Sequence, residues 1–505
     1  MKGHAGPGEL HEPLSGRVWD PPTIRRQRNR RAALYASAGI APGDLVFLHH
    51  GNTLEFFADL LALWTVGAVA APVDPRLTAF EVETLARAVH PRATLWPSAP
   101  PAEIGVTLSG LGAAVLMSPR GDDLNGEPAL DRPAAAASDD ADGDALVLFT
   151  SGTTGSPKAV VHTHRSLRAR WAALAEHVDL DDLRRTLCLL PTHFGHGLIC
   201  NALYPWLSGQ RLAVLPPFRS DVILQLGALV DEHAITFLSS VPGLWRLALR
   251  AARAPRAGTL RRVFCGSAPL TATTWREIAE WTRTATVSNV YGLTETASWL
   301  AGTAPEAEPE DGLVGHPWGA ILRVGAGGPA GPDDPQGPLD LVEPVWVRTP
   351  ALMRGYLGRD DLTRDAIRHG WLRTGDLGCL DASGRLHLRG RERDEINRGG
   401  LKVYPGDVEA VVEQFHGVLD CCAFGQDGGA GEEEVALAVV LDAGDAATLR
   451  RLHAWVLERL AAYQLPRRWY VVDEIPRTAV GKARRAQTAA RCAVLRAIDP
   501  RDLTG

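Results

Sequence analysis

Lysine is scarce in this chain of 505 residues. Of its 53 basic residues only four are lysines, Lys2, Lys158, Lys402 and Lys482, and the rest are arginines. Arginine serves surface solubility equally well, but it keeps its proton and presents a planar fork instead of a compact ammonium. A lysine retained in such a chain therefore indicates a position that needs an ammonium.

Other features are missing, and each absence excludes a class of protein. The seven cysteines show no CxxC spacing, which argues against a disulfide framework or a structural zinc site and favours the cytoplasm. The N-terminus lacks the apolar segment of a signal peptide, and the longest apolar stretch, residues 60–73, is too short and interrupted to span a bilayer. A net charge of −6 argues against a protein that coats nucleic acid. Because neither GxxxxGK[ST] nor an early GxGxxG occurs, a P-loop and a Rossmann dehydrogenase are disfavoured.

Short apolar runs alternate with helical patterns through the first part of the chain, which is typical of βαβ units and a parallel sheet. Residues 1 to about 20 are predicted to form a loose arm, and the arginine-rich helix that follows, from Ile24, is predicted to be a solvated one. Charges and glycines cluster near Gly390. We therefore predict an α/β fold with a large N-terminal domain of layered βαβ sheets, residues 1–390, and a small α+β C-terminal domain, residues 391–505.

One loop combines the residue types that bind phosphate. In LFTSGTTGSPKAVVHTH, residues 148–164, an apolar strand runs into small residues that end at a lysine and a second strand. Glycines allow close approach of the backbone, hydroxyls and successive N–H groups cradle phosphate oxygens, and the ammonium adds a mobile charge. The predicted contacts are Thr150, Ser151, Gly152, Thr153, Thr154, Gly155 and Lys158.

A second segment, VYGLTETA over residues 290–297, brings an aromatic ring, a hydroxyl and a carboxylate together after a strand. Tyr291 can stack on a purine face, and Thr294 can bind a phosphate oxygen. Glu295 is the hard oxygen ligand that suits Mg²⁺ bridging nucleotide phosphates. The alternative for Glu295 is an ordinary salt bridge.

Both segments belong to an ordered set of motifs. The others are CGSAPL (265–270), VRTPALMRGYLG (347–358), GWLRTGDLG (370–378), GRERDEINRGGLKVYPGDVE (390–409) and PRTAVGKARR (476–485). Over residues 45–487 the chain closely resembles the acyl-adenylate-forming superfamily of acyl- and aryl-CoA ligases, luciferases and nonribosomal adenylation domains. The resemblance implies that a carboxylic acid and ATP form acyl-AMP and pyrophosphate with Mg²⁺ as cofactor. A thiol, with CoA as the favoured co-substrate, then displaces AMP.

The resemblance also implies roles for individual residues. Asp376 accepts hydrogen bonds from ribose hydroxyls, and Arg391 contacts ribose and phosphate. The remaining nucleotide-binding residues are Gly266, Ser267, Ala268, Asn289, Tyr291 and Gly292. The acyl pocket is lined by His193, Phe194, His196, Gly197, Val290 and Thr296.

Lys482 is the predicted catalytic lysine, with Thr294 and Glu295 as the other catalytic residues. Its ammonium can bridge the incoming carboxylate and the α-phosphate and neutralise the charge that develops there. The resemblance further implies that the C-terminal domain is mobile and rotates between the half-reactions about Arg393 and Asp394. Arginine departs mildly from the Lys or Asp that is commoner at this hinge. After rotation, Gly399 and Gly400 are expected to line the thiol tunnel.

The substrate is constrained by the segment LPTHFGHGLICN, residues 190–201, which resembles the family's pocket-lining segment. It contains no Asp to pair with a substrate ammonium, so an α-amino acid is disfavoured. Phe194, Trp299 and the small residues 266–268 favour an apolar or aromatic acid. Ordinary packing is the alternative for His193 and His196.

The acceptor is constrained by two absences, of a fused carrier domain and of the long insertion before residue 390 that some long-chain acyl-AMP ligases carry, and both favour CoA. A stand-alone enzyme that loads a phosphopantetheinyl carrier protein, a luciferase-like oxygenase and a catalytically silent nucleotide-binding relative remain as alternatives. The expected partners are a small carboxylic acid and a thiol, with no nucleic acid and no transmembrane segment. The expected location is cytoplasmic, and a homodimer is left open.

Overall fold

Two large sheets and a smaller C-terminal unit make up the fold in the computed structural model. The model describes residues 6–121, 141–150, 158–217, 219–283, 286–331, 341–398, 401–429, 432–442, 446–478 and 481–503. All statements below concern these residues.

Short strands dominate the described part of the chain. In chain order they are β1 (Leu10–Glu12), β2 (Arg17–Trp19), β3 (Leu45–Leu48), β4 (Val69–Pro72), β5 (Ala93–Trp96), β6 (Ala114–Met117), β7 (Asp144–Thr150), β8 (Lys158–Thr163), β9 (Arg185–Cys188), β10 (Arg211–Val214), β11 (Phe237–Ser240), β12 (Arg262–Gly266), β13 (Val287–Leu293), β14 (Ser298–Gly302), β15 (Leu313–Pro317), β16 (Ile321–Val324), β17 (Glu343–Arg348), β18 (Gly355–Tyr356), β19 (Ile367–Arg368), β20 (Trp371–Leu380), β21 (Leu386–Arg391), β22 (Ile396–Arg398), β23 (Leu401–Val403), β24 (Val418–Gly429), β25 (Glu432–Leu441) and β26 (Arg468–Val471).

Most of the helices precede residue 290. They are α1 (Pro21–Ser37), α2 (Leu54–Thr65), α3 (Ala79–Val89), α4 (Ala102–Gly110), α5 (His164–His177), α6 (Tyr204–Leu207), α7 (Ser220–Leu224), α8 (Leu226–Glu232), α9 (Pro242–Ala251), α10 (Ala272–Thr282), α11 (Asp360–Ala366), α12 (Pro405–Glu413), α13 (Ala446–Leu457) and α14 (Arg485–Cys492). A π-helix, His196–Leu203, runs directly into α6. No helix within the described ranges combines the length and apolar composition needed to cross a membrane.

The smaller of the two large sheets has the order β18-β8-β7-β4-β3-β5-β6. Its strands from β7 to β6 are parallel, as the alternating pattern predicts, whereas β8 and β18 are antiparallel. Helix α2 begins after the N-cap Thr53, whose side chain accepts from the Phe56 N–H. Its sequence, LEFFADLLALWT, is apolar on nearly all sides, and so it is buried beneath the sheet.

The larger sheet is half parallel and half antiparallel. Strands β1, β10, β9, β11, β12 and β13 are parallel neighbours, and β14, β15, β21, β20, β17 and β16 continue the sheet antiparallel. The βαβ pattern predicts only the parallel half. The antiparallel half is joined by tight turns such as residues 381–385 between β20 and β21, which need no crossover helix.

The beginning of the described chain corrects two predictions. The supposed loose arm contains β1, which pairs in parallel with β10, and β2, which pairs with β1. The arginine-rich helix α1 is not simply solvated, because Arg31 is fully buried and its Nη1 lies 3.0 Å from Asp59 Oδ1. Neither an edge strand nor a single buried ion pair produces a recognisable local pattern of charge or hydropathy. Both features were therefore not predicted from the sequence.

The C-terminal unit has its own hydrophobic core. A three-stranded sheet, β24-β25-β26, and the hairpin β22-β23 carry helices α12, α13 and α14. One buried cluster runs from Ile396 to Leu503 and includes Trp469 at its centre. This separate core supports the predicted boundary at residues 390/391, which stays a prediction.

Candidate active site

The predicted site residues lie where the parallel strands of the larger sheet end. The segment after β9 carries His193 and His196, Ser267 follows β12, and Thr294 and Glu295 follow β13. In open α/β sheets, ligands bind outside the carboxyl ends of the strands. The fold therefore places these residues on the edge where a ligand is expected.

The end of β12 is shaped for close backbone approach. A Cβ on Gly266 would come within 2.3 Å of the Val290 carbonyl oxygen of β13, so only glycine fits at this position. The next residue, Ser267, has φ +68, a left-handed conformation that is strained for a residue with a side chain. Ala268 follows and is half-buried. Strain of this kind clusters at ligand-binding sites.

Asp376 is held by two side chains from different parts of the chain. The Tyr291 hydroxyl donates to its Oδ2 at 2.6 Å, and Arg391 Nε lies 2.9 Å from its Oδ1. The charge of Asp376 raises the pKa of Arg391. A carboxylate offers about four acceptor positions, so this one can still accept from hydroxyls of a ligand. Tyr291 is only 8% exposed. The prediction that its ring stacks on a purine did not include the hydrogen bond from its hydroxyl to Asp376.

Glu295 has an aromatic neighbour that sequence reasoning missed. Tyr356 donates to Glu295 Oε1 at 2.8 Å, and the Lys158 ammonium stands over the Tyr356 ring at 4.9 Å from its centroid. Tyr356 thus joins the phosphate-loop lysine to the predicted metal ligand. It lies in the motif VRTPALMRGYLG, which was the available signal.

Two further side chains that were not predicted from the sequence hold the turn that carries Thr294 and Glu295. His162 Nε2 donates to the Thr294 carbonyl at 2.7 Å. Arg170, fully buried, donates to the Thr296 and Trp318 carbonyls. Burial lowers the pKa of His162 to about 4 and that of Arg170 to about 10, so near pH 7 the imidazole is neutral and the guanidinium is charged. These contacts fix the backbone from which Glu295 projects.

Lys482 is delivered to this cluster by the C-terminal unit. Its loop is closed by two hydrogen bonds with Thr478: Thr478 N–H donates to the Lys482 carbonyl at 2.8 Å, and Lys482 N–H donates to Thr478 Oγ1 at 3.1 Å. Burial lowers the pKa of the ammonium to about 8, and the positive charge of Arg391 contributes to the lowering. The negative charges of Asp376 and Glu295 act on it in the opposite direction. The ammonium therefore shares one electrostatic environment with the residues predicted to hold the nucleotide.

The two histidines of the acyl segment have different surroundings. His196, at the start of the π-helix, contacts Ser267 Oγ through Nδ1 at 2.8 Å and Ser239 Oγ through Nε2 at 2.7 Å. Burial and the charge of Lys482 lower its pKa to about 3, so it is neutral. His193 is half-buried, with Nε2 at 3.5 Å from Asp74 Oδ2. Gly197 lies in the first turn of the π-helix, where it packs on the Pro191 backbone.

Aromatic rings surround His196. The Trp299 ring meets it edge-on at 5.4 Å, and Phe194 lies at 6.0 Å. Phe237 and Phe264 pack on the far side of Trp299. The acyl segment is therefore lined with apolar rings and a neutral imidazole.

Four predicted site residues make contacts within the protein itself. The Thr296 hydroxyl is fully buried and bonded to the Leu293 and Ser298 backbone, and its assignment to the acyl pocket stays a prediction. The Asn289 amide donates to the Leu313 carbonyl at 2.8 Å, so one of its N–H groups joins β13 to β15. Val290 is 2% exposed and packs against Gly266. Gly292 accommodates the Ser298 carbonyl in the same hairpin.

Several predicted residues lie outside the described residues. They are Ser151, Gly152, Thr153, Thr154 and Gly155 of the phosphate loop, and Gly399 and Gly400 of the thiol tunnel. The two ends of the phosphate loop are described: Thr150 and Lys158 pair with each other at the ends of β7 and β8. The predicted hinge residues, Arg393 and Asp394, lie in a 3₁₀ turn, Glu392–Asp394, where Asp394 Oδ2 is 3.6 Å from Arg485 Nε.

Comparison with known proteins agrees with this geometry. The model of the AMP-binding enzyme family matches residues 24–357, and that of the AMP-binding enzyme C-terminal domain matches residues 407–482. The chain is 30% identical to the sulfoacetate–CoA ligase of Cupriavidus necator, over 89% of this chain and 88% of that protein. It is also 30% identical to the fatty acid–[acyl-carrier-protein] ligase ScoC of Streptomyces coeruleorubidus, over 94% and 93%. The crystal structure of ATP-bound MatB from Rhodopseudomonas palustris matches with a TM-score of 0.85 at 25% identity, over 98% of this chain and 97% of that chain.

The chain therefore belongs to the AMP-binding enzyme family, within the acyl-adenylate-forming superfamily. It is an ATP-dependent acid–thiol ligase of the AMP-forming, acyl-CoA synthetase type. The family, the fold class and the reaction type predicted from the motifs are confirmed.

Proposed function

We propose that this enzyme joins an apolar or aromatic carboxylic acid to CoA through an acyl-AMP intermediate formed with ATP and Mg²⁺. The observation that carries the proposal is the convergence of Lys482, Asp376, Arg391 and Glu295 in one electrostatic environment. These residues come from four separate motifs, and together they meet the needs of a carboxylate attacking a phosphate.

In the first half-reaction, the residues position the reactants and neutralise charge. Asp376, held by Tyr291 and Arg391, receives ribose hydroxyls and so fixes the nucleotide. The Lys482 ammonium lies between carboxylate and α-phosphate, where two anionic groups must meet. A desolvated cation acts more strongly there than in water, and positioning with electrostatic stabilisation supplies most of the acceleration.

Glu295 is the residue that would hold the metal ion. Tyr356 occupies Oε1, which orients the carboxylate and leaves Oε2 for a ligand. No cluster of three or more metal-binding side chains occurs among the described residues. That arrangement fits Mg²⁺, which commonly binds one or two carboxylates together with substrate phosphates. When bound, Mg²⁺ neutralises charge on the phosphates and on the leaving pyrophosphate. Glu295→Gln is expected to raise the Mg²⁺ concentration required for half-maximal pyrophosphate release, whereas the exposed Glu306→Gln is not.

The surroundings of the acyl segment favour an uncharged side chain on the acid. His196 is neutral and its two nitrogens already contact serine hydroxyls. The nearby guanidinium of Arg76 is paired through two nitrogens with Asp74. A second anionic group on the substrate would lack a free cation among these residues, whereas the rings of Phe194 and Trp299 favour apolar surface. The relatives named above include one for a sulfonated acid and one for a fatty acid, so substrate class has to be measured.

The acceptor proposed is CoA, and a carrier protein is the second candidate. CoA is supported by the similarity to a CoA ligase over 89% of the chain. The carrier-protein alternative is supported by equal identity to a ligase that loads an acyl-carrier protein. Both acceptors present the same pantetheine thiol, so the chemistry of transfer does not distinguish them.

Acid-dependent pyrophosphate release with ATP and Mg²⁺ tests the proposal. The panel contains fatty, aryl, sulfonated, dicarboxylic and amino acids, each alone, with CoA or with a phosphopantetheinylated carrier protein. Release from an apolar or aromatic acid with CoA-dependent turnover is the expected result. Turnover only with the carrier protein would replace CoA as acceptor, and preference for a doubly charged acid would contradict the substrate class.

A further inference from the structure

A group of ion pairs joins helix α9 of the N-terminal part to the C-terminal unit. Arg246, in the middle of α9, donates from Nη1 to Asp420 Oδ1 at 2.6 Å and from Nη2 to Glu413 Oε1 at 3.0 Å. One turn later, Arg250 donates to the Val418 carbonyl at 3.1 Å. The side chains of Arg246, Glu413 and Asp420 are only 20–30% exposed, so solvent screens these pairs less than it screens surface pairs.

Asp420 also binds Arg477, which in turn contacts the loop that carries Lys482. Arg477 donates from Nε to Asp420 Oδ2 at 2.8 Å, and its Nη2 also binds the other oxygen of that carboxylate. The remaining arm, Nη1, donates to the Gly481 carbonyl at 2.7 Å. Gly481 directly precedes Lys482. A path of three hydrogen-bonded residues therefore leads from α9 to the peptide that carries the ammonium.

The backbones of the two parts also approach each other closely, at Gly481 and Gly243. Gly481 has φ +81, and a Cβ on it would lie 3.5 Å from the Cα of Gly243, the second residue of α9. The converse distance, from a Cβ on Gly243 to the Gly481 Cα, is 3.4 Å. The lysine loop is thus seated directly on the first turn of the helix that presents Arg246.

We propose that Arg246 is a positioning residue for acyl-AMP formation, acting on Lys482 through Asp420, Arg477 and Gly481. The inference rests on the role proposed above for Lys482. Arg246 belongs to the N-terminal part, whereas both of its carboxylate partners belong to the C-terminal unit. Rotation about Arg393 and Asp394 would carry those partners away from α9. Its contacts therefore stabilise the arrangement that places Lys482 in the site, and not the one in which the thiol attacks.

Measuring the two half-reactions separately tests the proposal. Arg246→Ala is compared with wild type for pyrophosphate release from acid and ATP, and for thioester formation from supplied acyl-AMP and CoA. Pyrophosphate release is expected to fall about tenfold or more, since coupling across close interfacial charge pairs is commonly of that size or larger. Thioester formation from acyl-AMP is expected to stay within about twofold of wild type. Arg253→Ala is the matched control, because Arg253 is largely exposed and faces Asp231 of its own domain at 3.8 Å.

Reversing the charge of residue 246 distinguishes a positioning role from a general contribution to stability. Arg246→Glu is expected to impair pyrophosphate release at least as strongly as Arg246→Ala, and the double variant Arg246→Glu/Glu413→Arg to recover a substantial part of it. A general structural role predicts equal losses in both half-reactions and no recovery. Either result would overturn the proposal, as would unchanged pyrophosphate release in Arg246→Ala.

Wild-type enzyme keeps this test distinct from that of the proposed function. If wild type releases no pyrophosphate with any acid, the proposed function fails and Arg246 is not at issue. If wild type is active and Arg246→Ala matches it, only the positioning role fails. Should Arg246→Ala not fold, as judged by its melting transition, Glu413→Ala removes one of the same contacts from the other side. Its expected result is again a selective loss of pyrophosphate release.

Discussion

Two properties of Lys482 suit the role proposed for it: its charge is compact, and its pKa is lowered by its surroundings. Burial and the charge of Arg391 lower the pKa of its ammonium, and in the mechanism proposed above the negative charges of carboxylate and phosphate relieve this unfavourable environment. Because the two anions approach only on the way to the transition state, the relief is greatest there. An arginine would keep its charge under all conditions but could not place it as compactly.

Removing the ammonium should affect one half-reaction. Lys482→Ala is expected to lower the rate of acyl-AMP formation by about 10²–10³-fold, the usual effect of losing one group that stabilises transition-state charge. Thioester formation from supplied acyl-AMP should change little. The two rates are measured as pyrophosphate release and as CoA-dependent thioester formation. Lys402→Ala serves as the control for the first half-reaction, because Lys402 is largely exposed and pairs with Glu395. Equal losses in both steps would contradict the assignment.

The pKa of Lys482 leads to a pH prediction. The pKa is lowered to about 8, so the ammonium is present below that pH and is lost as the pH rises through it. If the cation is the active form, kcat/KM of acyl-AMP formation should be level below about pH 8 and fall tenfold per pH unit above it. The measurement is pyrophosphate release between pH 6.5 and 9.5. In Lys482→Arg any remaining activity should lack this fall, and a fall that persists would point to another group.

At the scale of elements, the turn after β13 depends on partners far away in sequence. Glu295 is oriented by Tyr356, 61 residues away, and the Thr294 carbonyl by His162, 132 residues away. His162 lies in the motif of residues 148–164 and Tyr356 in that of residues 347–358. The motifs predicted Lys482, Glu295 and Asp376, and also Tyr291 and Arg391, which hold Asp376. They did not indicate that His162 and Tyr356 hold the turn that carries Glu295.

The same distinction holds for the sheets. The parallel strands and their helices were predictable because apolar runs of two different periods alternate along the chain. Strands β1 and β2 were not, since each is only three residues long. Strand β1 pairs with β10 only after some 200 residues have folded between them, and β2 pairs with β1. The hydrogen bonds of Thr296 were unpredictable for a related reason: a threonine that bonds within its own turn has the same local sequence as one that faces a ligand.

Helices α1 and α2 are joined by an ion pair whose removal should be costly. Arg31 and Asp59 are fully buried, and Tyr35 and Ser118 also donate to Asp59. Arg31→Met leaves the carboxylate without its main counter-charge and is expected to reduce the free energy of unfolding by about 3–5 kcal/mol. Urea unfolding measures this. The exposed Arg25→Met on the same helix should stay within about 0.5 kcal/mol of wild type, and an equal effect of both variants would contradict the interpretation.

At the scale of the whole molecule, the family resemblance predicts two arrangements of the C-terminal unit, one for each half-reaction. Lys482 and the proposed thiol-tunnel residues 399–400 belong to the same C-terminal unit, but they serve different half-reactions. The structure has Lys482 in the site, with α9 contacting the unit through Arg246 and Gly243. We propose that this is the arrangement that forms acyl-AMP. In this proposal, the thioester step requires the chain to turn in the segment between the two hydrophobic cores.

Stiffening that segment should separate the half-reactions. Arg393 is in the middle of the 3₁₀ turn Glu392–Asp394, where φ near −60° is also the value that a proline ring imposes. Arg393→Pro is therefore compatible with the arrangement described here but opposes the backbone change that rotation needs. Pyrophosphate release in a single turnover should remain within about threefold of wild type. CoA-dependent thioester formation should fall by about tenfold or more.

Arg393→Ala controls for loss of the side chain. The Arg393 guanidinium is half-exposed and lies 3.6 Å from its neighbour Asp394, so its removal should affect neither step strongly. If the proline variant forms thioester at the wild-type rate, residue 393 is not where the chain turns. If both variants lose both steps, the turn supports the site itself, because Arg391, two residues earlier, holds Asp376. Selective loss of thioester formation in the proline variant alone would locate the change of backbone conformation between Arg391 and the core that begins at Ile396. That single change would then switch the same C-terminal unit between activating an acid and transferring it.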